Sequence, residues 1–268
     1  MATKNDTKTT EVVGGLPVFE EPFAALTDFN LPELIAENMG ADGLRPTDLT
    51  RVGFPRESAF WSIDDPTAAN GVKSVPEIVG VPLSQTIVRQ FYHAEYSGGN
   101  AAPDCFSGDG LTGRPDPQKP NEIVMPDGSY TRYGGACVRC PLNQWGSDLK
   151  GGNGKACREY RAIALMEPDG AFPVILRLPP TQLGIWRRFC ADVTIMRLRL
   201  SQVVVSLGLA IKDKKPVLVP TVRGVLPSET ATQIAGMARS MQMLAAPAND
   251  TGDFEDEAPF DDEDGLPF

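Results

Sequence analysis

A mainly β chain with a few helices, built around a small barrel with an inserted segment, is the fold class this sequence predicts. Three observations predict it. Short runs rich in β-branched and aromatic residues recur between turn signals. Only three stretches carry helical spacing. A Gly- and Cys-rich segment, about residues 97–158, interrupts the strand pattern.

Taken in order, residues 1–15 are polar, poor in aromatics and rich in Thr and Lys, a composition expected to be disordered. Residues 16–80 read as irregular, with one short helix in "LPELIAENMG" closed by Gly40. A strand is expected over 84–96 ("SQTIVRQFYHAEY"), then a loop over 97–120. "NEIVMPDGSYTRY" (121–133) reads as a hairpin turning at Pro126-Asp127-Gly128. Strands over 160–166 and 172–178 are joined by the turn "EPDG". Leu183, Trp186, Phe189, Cys190 and Val193 recur at helical spacing within 179–198. Two β-rich runs within 201–226 meet at "KDKK", and a last helix over 228–246 opens on a Thr230-x-x-Gln233 capping box. Five or six strands with a helix between two hairpins fit an oligonucleotide-binding (OB) barrel. The barrel domain is expected to span 16–246, with residues 247–268 a disordered acidic tail.

Charge is distributed in blocks. Residues 1–129 hold 9 basic and 19 acidic groups, residues 130–223 hold 15 basic and 6 acidic groups, and residues 250–268 hold nine acids and no base. A basic middle flanked by acidic ends points to a polyanionic partner, screened by the tail when that partner is absent. The N-terminus has no apolar signal core, and no apolar run reaches the roughly 18 residues of a membrane span. The expectation is a cytoplasmic protein, in the host cytoplasm if phage-encoded, where cysteines serve as metal ligands or buried groups and seldom as cross-links.

Four of the five cysteines, Cys105, Cys137, Cys140 and Cys157, fall in the Gly-rich segment with spacing C-x31-C-x2-C-x16-C. A C-x-x-C turn presents two thiolates on one side, and two more complete the tetrahedral set that Zn²⁺ favours. With no open coordination position, such a site is structural and would hold the insertion together. A redox dithiol and an iron–sulfur cluster are the rival readings, the former lacking a surrounding βαβ pattern. Cys190, on the apolar face of its helix, reads as a small buried hydrophobe.

Around the cluster, Arg132, Tyr133, Arg139, Trp145, Lys150, Lys155, Arg158 and Arg161 interleave cations with rings. Cations neutralise phosphates and aromatic faces stack unpaired bases. Phe91, Tyr92, Tyr96 and Tyr130 lie on neighbouring strand candidates and would extend the platform, although strand aromatics more often pack inward. "GGNGKA" has Leu149 and Ala156 where a phosphate loop needs Gly and Ser or Thr. The single histidine, His93, and the Asp64–Asp65 pair read as packing and turn residues. No catalytic constellation stands out, and the protein is expected to bind without catalysis.

The sequence finishes "DDEDGLPF": Asp261, Asp262, Glu263 and Asp264, then Gly265, Leu266, Pro267 and Phe268. This resembles the acidic tip of bacterial and bacteriophage single-stranded DNA-binding proteins, and "FEDEAPF" (254–260) echoes it. The C-x-x-C-P-x-x-x-W-G-S arrangement starting at Cys137 is similar to that of Cys-rich phage and mobile-element proteins. The larger body, the Cys cluster and the lack of a long Gly/Gln linker favour a phage-type variant. The resemblance implies a protein that coats single-stranded DNA with little sequence preference. It also implies that the acids, Leu266, Pro267 and Phe268 recruit replication or recombination partners. The alternative is a zinc-ribbon regulator that meets duplex DNA or a polymerase. An enzyme whose acids assemble only in three dimensions is a third reading.

Overall fold

The computed structural model of the chain describes residues 12–13, 15–23, 31–42, 48–94 and 102–242. The expected tail, most of the expected N-terminal segment, Tyr96 and residues 243–246 of the last expected helix lie outside them. Strands β1 (Val12–Val13) and β2 (Leu16–Pro17) pair with each other and precede helix α1 (Leu31–Met39), which ends at Gly40 as expected. Then come β3 (Arg51–Gly53), the hairpin β4 (Trp61–Asp64) and β5 (Val72–Val75), and the long strand β6 (Glu77–Phe91). The Cys-rich segment holds β7 (Cys105–Ser107), β8 (Thr112–Pro115), β9 (Glu122–Val124), β10 (Tyr130–Arg132) and β11 (Gly135–Ala136). The remainder is β12 (Arg158–Met166), β13 (Val174–Leu178), α2 (Leu183–Ile195), β14 (Val203–Lys212), β15 (Lys215–Val225) and α3 (Ser228–Gln242).

Strand β6 serves two layers. One edge pairs with β12 along Val81–Gln90, while the other pairs with β14 through Glu77–Gly80 and with β7 through Arg89–Phe91. It can turn from one layer to the other because its start is locally broken. The β6–β12 register slips between Ala164 and Leu165, and a Cβ on Gly80 would come within 2.5 Å of the Met166 carbonyl oxygen. The main path runs β11-β8-β7-β6-β12-β13-β3, and β14 and β15 branch from the other edge of β6.

Alternation along these strands makes two buried layers. Ile163 and Leu165 of β12, Leu176 and Leu178 of β13, Val52 of β3 and Val205 and Leu207 of β14 enclose the first, capped by Trp186, Phe189 and Val193 of α2. Both tryptophans there are hydrogen-bonded: Trp61 Nε1 donates to Leu207 O (2.8 Å) and Trp186 Nε1 to Gln85 Oε1 (2.9 Å). On the opposite face, Ala164, Met166 and Val81 pack under Ile234 of α3, with Phe23 and Leu226.

The expected barrel is not closed among the described residues. Strand β13 pairs with β3 in parallel, and β15 keeps an outer edge bridged only at its end, Val18 to Val225. The reason lies in the edge itself. Pro216 and Pro220 have no N–H to offer, and the intervening Leu218 N–H donates to Gln182 Oε1 (2.9 Å) while Gln182 Nε2 donates to Pro216 O (3.5 Å). A single buried side chain, 5% exposed, thus answers the β15 edge where a strand would have.

Turn predictions hold where local chemistry dictates them. Gly128 N–H donates to Met125 O in the β9–β10 hairpin, and Gly170 N–H to Glu167 O between β12 and β13. Asp213 and Lys214 take φ of 50° and 65°, the two positive values of a type I′ turn between β14 and β15. Other expectations are corrected. Residues 16–80 supply β2, β3, β4, β5 and the start of β6 and bury Trp61, and β6 starts seven residues before the expected strand. Helix α3 begins at Ser228 after Pro227, whose carbonyl accepts from Ala231 N–H, so Thr230 lies inside the helix and does not cap it.

Candidate metal centre and nucleic-acid interface

The Cys-rich segment folds by backbone exchange between short loops. Cys137 N–H donates to Leu111 O, Cys157 N–H to Leu142 O (both 2.8 Å), and the buried amide of Asn143 donates to Cys137 O (2.9 Å). These bonds bring Cys105 on β7, Cys137 and Cys140 around a 3-10 turn, and Cys157 before β12 onto one cavity, about 10 Å³ in volume. Gly113 faces two of the sulfurs. A Cβ there would lie 3.0 Å from Cys105 Sγ and 3.6 Å from Cys137 Sγ.

None of the cysteines is in a disulfide. Burial, then the neighbouring Cys140 and Cys137, pushes the Cys105 thiol up to about 12; burial and the other three sulfurs do the same to Cys157, against a smaller opposing pull from Arg89. Among the described residues no group of three or more His, Cys, Asp or Glu side chains is disposed to hold a metal ion. The four thiols line one cavity. Their chemistry fits a soft divalent ion, which would bind the thiolates and displace their protons.

The candidate nucleic-acid residues separate into groups. Arg139 and Lys150 are exposed on the insertion. Trp145 is 69% exposed, and Lys155 Nζ sits 5.3 Å from its ring centroid while donating to Asn143 Oδ1 (3.3 Å). Arg132 is exposed but paired with Glu122 (2.9 Å). Tyr133 is a correction. It is 4% exposed, its ring packs on Phe91 at 5.0 Å and its hydroxyl donates to Pro120 O, so no face is left for a base. The exposed ring of the hairpin is Tyr130 (75%), opposite Val124. Of the remaining aromatics, Phe91 is buried and Tyr92 half-buried.

Arg158 and Arg161 share β12 but stand on opposite faces, three residues apart in a period of two. Arg161 lies opposite Ile87 and Leu178 on the first-core side, near Cys190 of α2. Glu159 is on that side also, where Arg89 bridges it (2.7 Å) to the carbonyl of Gly110 and so ties the insertion to the sheet. His93 is exposed, with its backbone N–H on Asp104 Oδ2 (2.8 Å). Asp65 accepts from the Thr67 hydroxyl and N–H, the turn role expected of it.

Sheet register gathers a further set that no local pattern signals. One row across β8, β7, β6 and β12 reads Arg114, Phe106, Gln90, Arg158, each directly opposite the next. Behind it stand Val88 opposite Tyr160, then Thr86, Ala162 and Arg177 across β6, β12 and β13, and Arg51 on β3 opposite Ile175. The Arg177 guanidinium lies 4.7 Å from the Tyr160 ring centroid. Helix α3 packs on this face at its Ala164–Met166 end. The strand positions of this face hold Arg51, Arg114, Arg158 and Arg177 with Phe106 and the buried Tyr160 (4% exposed), across six strands or about 24 Å. Cys105, Phe91 and Cys157 flank this first row in sequence on the strands' other side.

No protein-family model, curated protein or solved structure matches this chain.

Proposed function

We propose that the chain is a single-stranded DNA-binding protein that coats unpaired strands and recruits partners through its acidic C-terminal segment. The observation that carries this reading is the strand register that brings Arg51, Arg114, Arg158 and Arg177 onto one sheet face with Phe106. Guanidinium groups spaced by strands meet successive phosphates, and Phe106 on this face with the exposed Trp145 and Tyr130 offers stacking surfaces that tolerate any base. Duplex DNA would meet a sheet face of this width only along its backbone, leaving the rings without partners.

The topology supports the same reading. Strands β6, β12 and β13, helix α2, then β14 and β15 follow the chain order of an OB barrel, with Gln182 in place of the closing strand pair. In that fold oligonucleotides lie on the second and third strands, between the first and fourth loops. Here those are β12 and β13, the Cys-rich insertion after β6, and the Lys212–Lys215 turn. Arg139, Trp145, Lys150 and Lys155 on the insertion would continue the path. Zn²⁺ held by Cys105, Cys137, Cys140 and Cys157 would keep the insertion in shape. The acids Asp261, Asp262, Glu263 and Asp264, with Leu266, Pro267 and Phe268, supply charge and apolar groups for partner proteins.

The test is fluorescence anisotropy of labelled oligo-dT against a duplex of equal length, with the wild type and an Arg158→Ala/Arg177→Ala variant. Strong preference for the single strand, lost in the variant, is expected. Equal affinity for the duplex, or no binding, refutes the proposal.

A further inference from the structure

The first row of the sheet face contains an unbalanced pair. Gln90 is 2% exposed, and its Nε2 has no hydrogen-bond partner; Nη1 of Arg158, directly opposite on β12, is buried and without a partner too. Directly opposite side chains start about 5 Å apart, so one ligand edge can span both. Every buried side-chain nitrogen or oxygen left without a hydrogen bond among the described residues is a nitrogen. A buried donor without an acceptor is costly and calls for a partner. Phe106 stands on one side of Gln90, and Tyr160 follows Arg158 two residues along on the same face.

We infer that Gln90 and Arg158 form a base-reading position on the proposed single-strand face. It takes a nucleobase whose edge presents acceptors, such as the carbonyls of thymine or uracil, and disfavours an edge bearing an amino group. An amino group at one end of that edge would set donor against donor and leave the buried nitrogen facing it unsatisfied. A phosphate oxygen is also an acceptor, but the neutral amide of Gln90 and the neighbouring Phe106 ring suit a base. The binding is therefore general along the face, yet biased at one nucleotide position.

This rests on the single-strand reading, and the experiment separates the two. Affinities for oligo-dT and oligo-dC of equal length are compared at one salt concentration, since the two pyrimidines differ chiefly in the carbonyl or amino group at one edge. Wild type is expected to favour oligo-dT by about five- to tenfold, the lower range for base discrimination. Gln90→Met, similar in size but without donors, should bring the ratio near one, whereas Arg114→Ala should weaken both oligonucleotides alike. Gln90→Glu, which places an acceptor there, should reduce oligo-dT binding more than oligo-dC binding, and decides the matter if Gln90→Met does not fold. A wild-type ratio near one overturns the inference while leaving the sheet face intact. So does an abasic strand that loses as much affinity as oligo-dT on Gln90→Met, because phosphate is then the acceptor. Failure of every oligonucleotide to bind overturns the parent reading instead.

Discussion

Replacing Arg177 by alanine removes one of the four guanidinium groups from this sheet face, together with its 4.7 Å contact on the Tyr160 ring. If each of the four arginines neutralises one phosphate of a single strand, together they contribute about −0.7 per contact, or roughly −2.8, to the slope of log K against log salt. Raising salt from 50 to 200 mM then weakens binding about 50-fold through these four contacts in the wild type and, at a contribution of roughly −2.1, about 20-fold in Arg177→Ala. Anisotropy titrations of labelled oligo-dT at five or six salt concentrations measure both slopes. Arg132→Ala is the internal control from the insertion: its guanidinium is already engaged by Glu122, and its removal should leave the slope near the wild-type value. The reasoning is refuted if Arg177→Ala keeps the wild-type slope, or if Arg132→Ala flattens it as much.

Three further outcomes are expected. Gln182→Ala strands the buried Leu218 N–H and should cost about 2–3 kcal/mol, lowering Tm by roughly 5–10 °C in calorimetry with the fold otherwise retained. Purified protein should contain one zinc per chain by elemental analysis, and Cys157→Ser or a strong chelator should lower both metal content and Tm. The Glu77 carboxyl is held below its usual 4.5 by the Ser206 hydroxyl and then by Arg223, so its contribution is present above pH 4.5 and fades as pH falls through the lowered value. Glu77→Gln should remove that part of the acid sensitivity, read from Tm between pH 3 and 6.

Much of the local structure was legible because it is written in short-range chemistry. Hairpins at Pro126-Asp127-Gly128, "EPDG" and "KDKK" follow from the conformations those residues favour, and α2 from apolar spacing at Trp186, Phe189 and Val193. The cysteine grouping followed from spacing alone, and the structure puts all four on one cavity. Direction of side chains was less legible. Tyr133 and Tyr130 are three residues apart on one hairpin, and alternation decides that one enters the core while the other faces outward. Arg158 and Arg161 part for the same reason.

Composition and order by themselves settled that this chain is mainly β, that its basic groups concentrate in the middle, and that its thiols cluster. Which arginines stand together could only be decided in three dimensions. Arg51, Arg114, Arg158 and Arg177 come from four strands separated by up to 126 positions, and only the register of β3, β8, β12 and β13 lays them on one face. The way β15 ends the sheet is of the same kind, since Gln182 meets Leu218 only after the chain has passed through α2 and β14. Periodicity says which way a side chain alternates; pairing between distant strands says beside what it lands, and that pairing is set by packing the whole core at once.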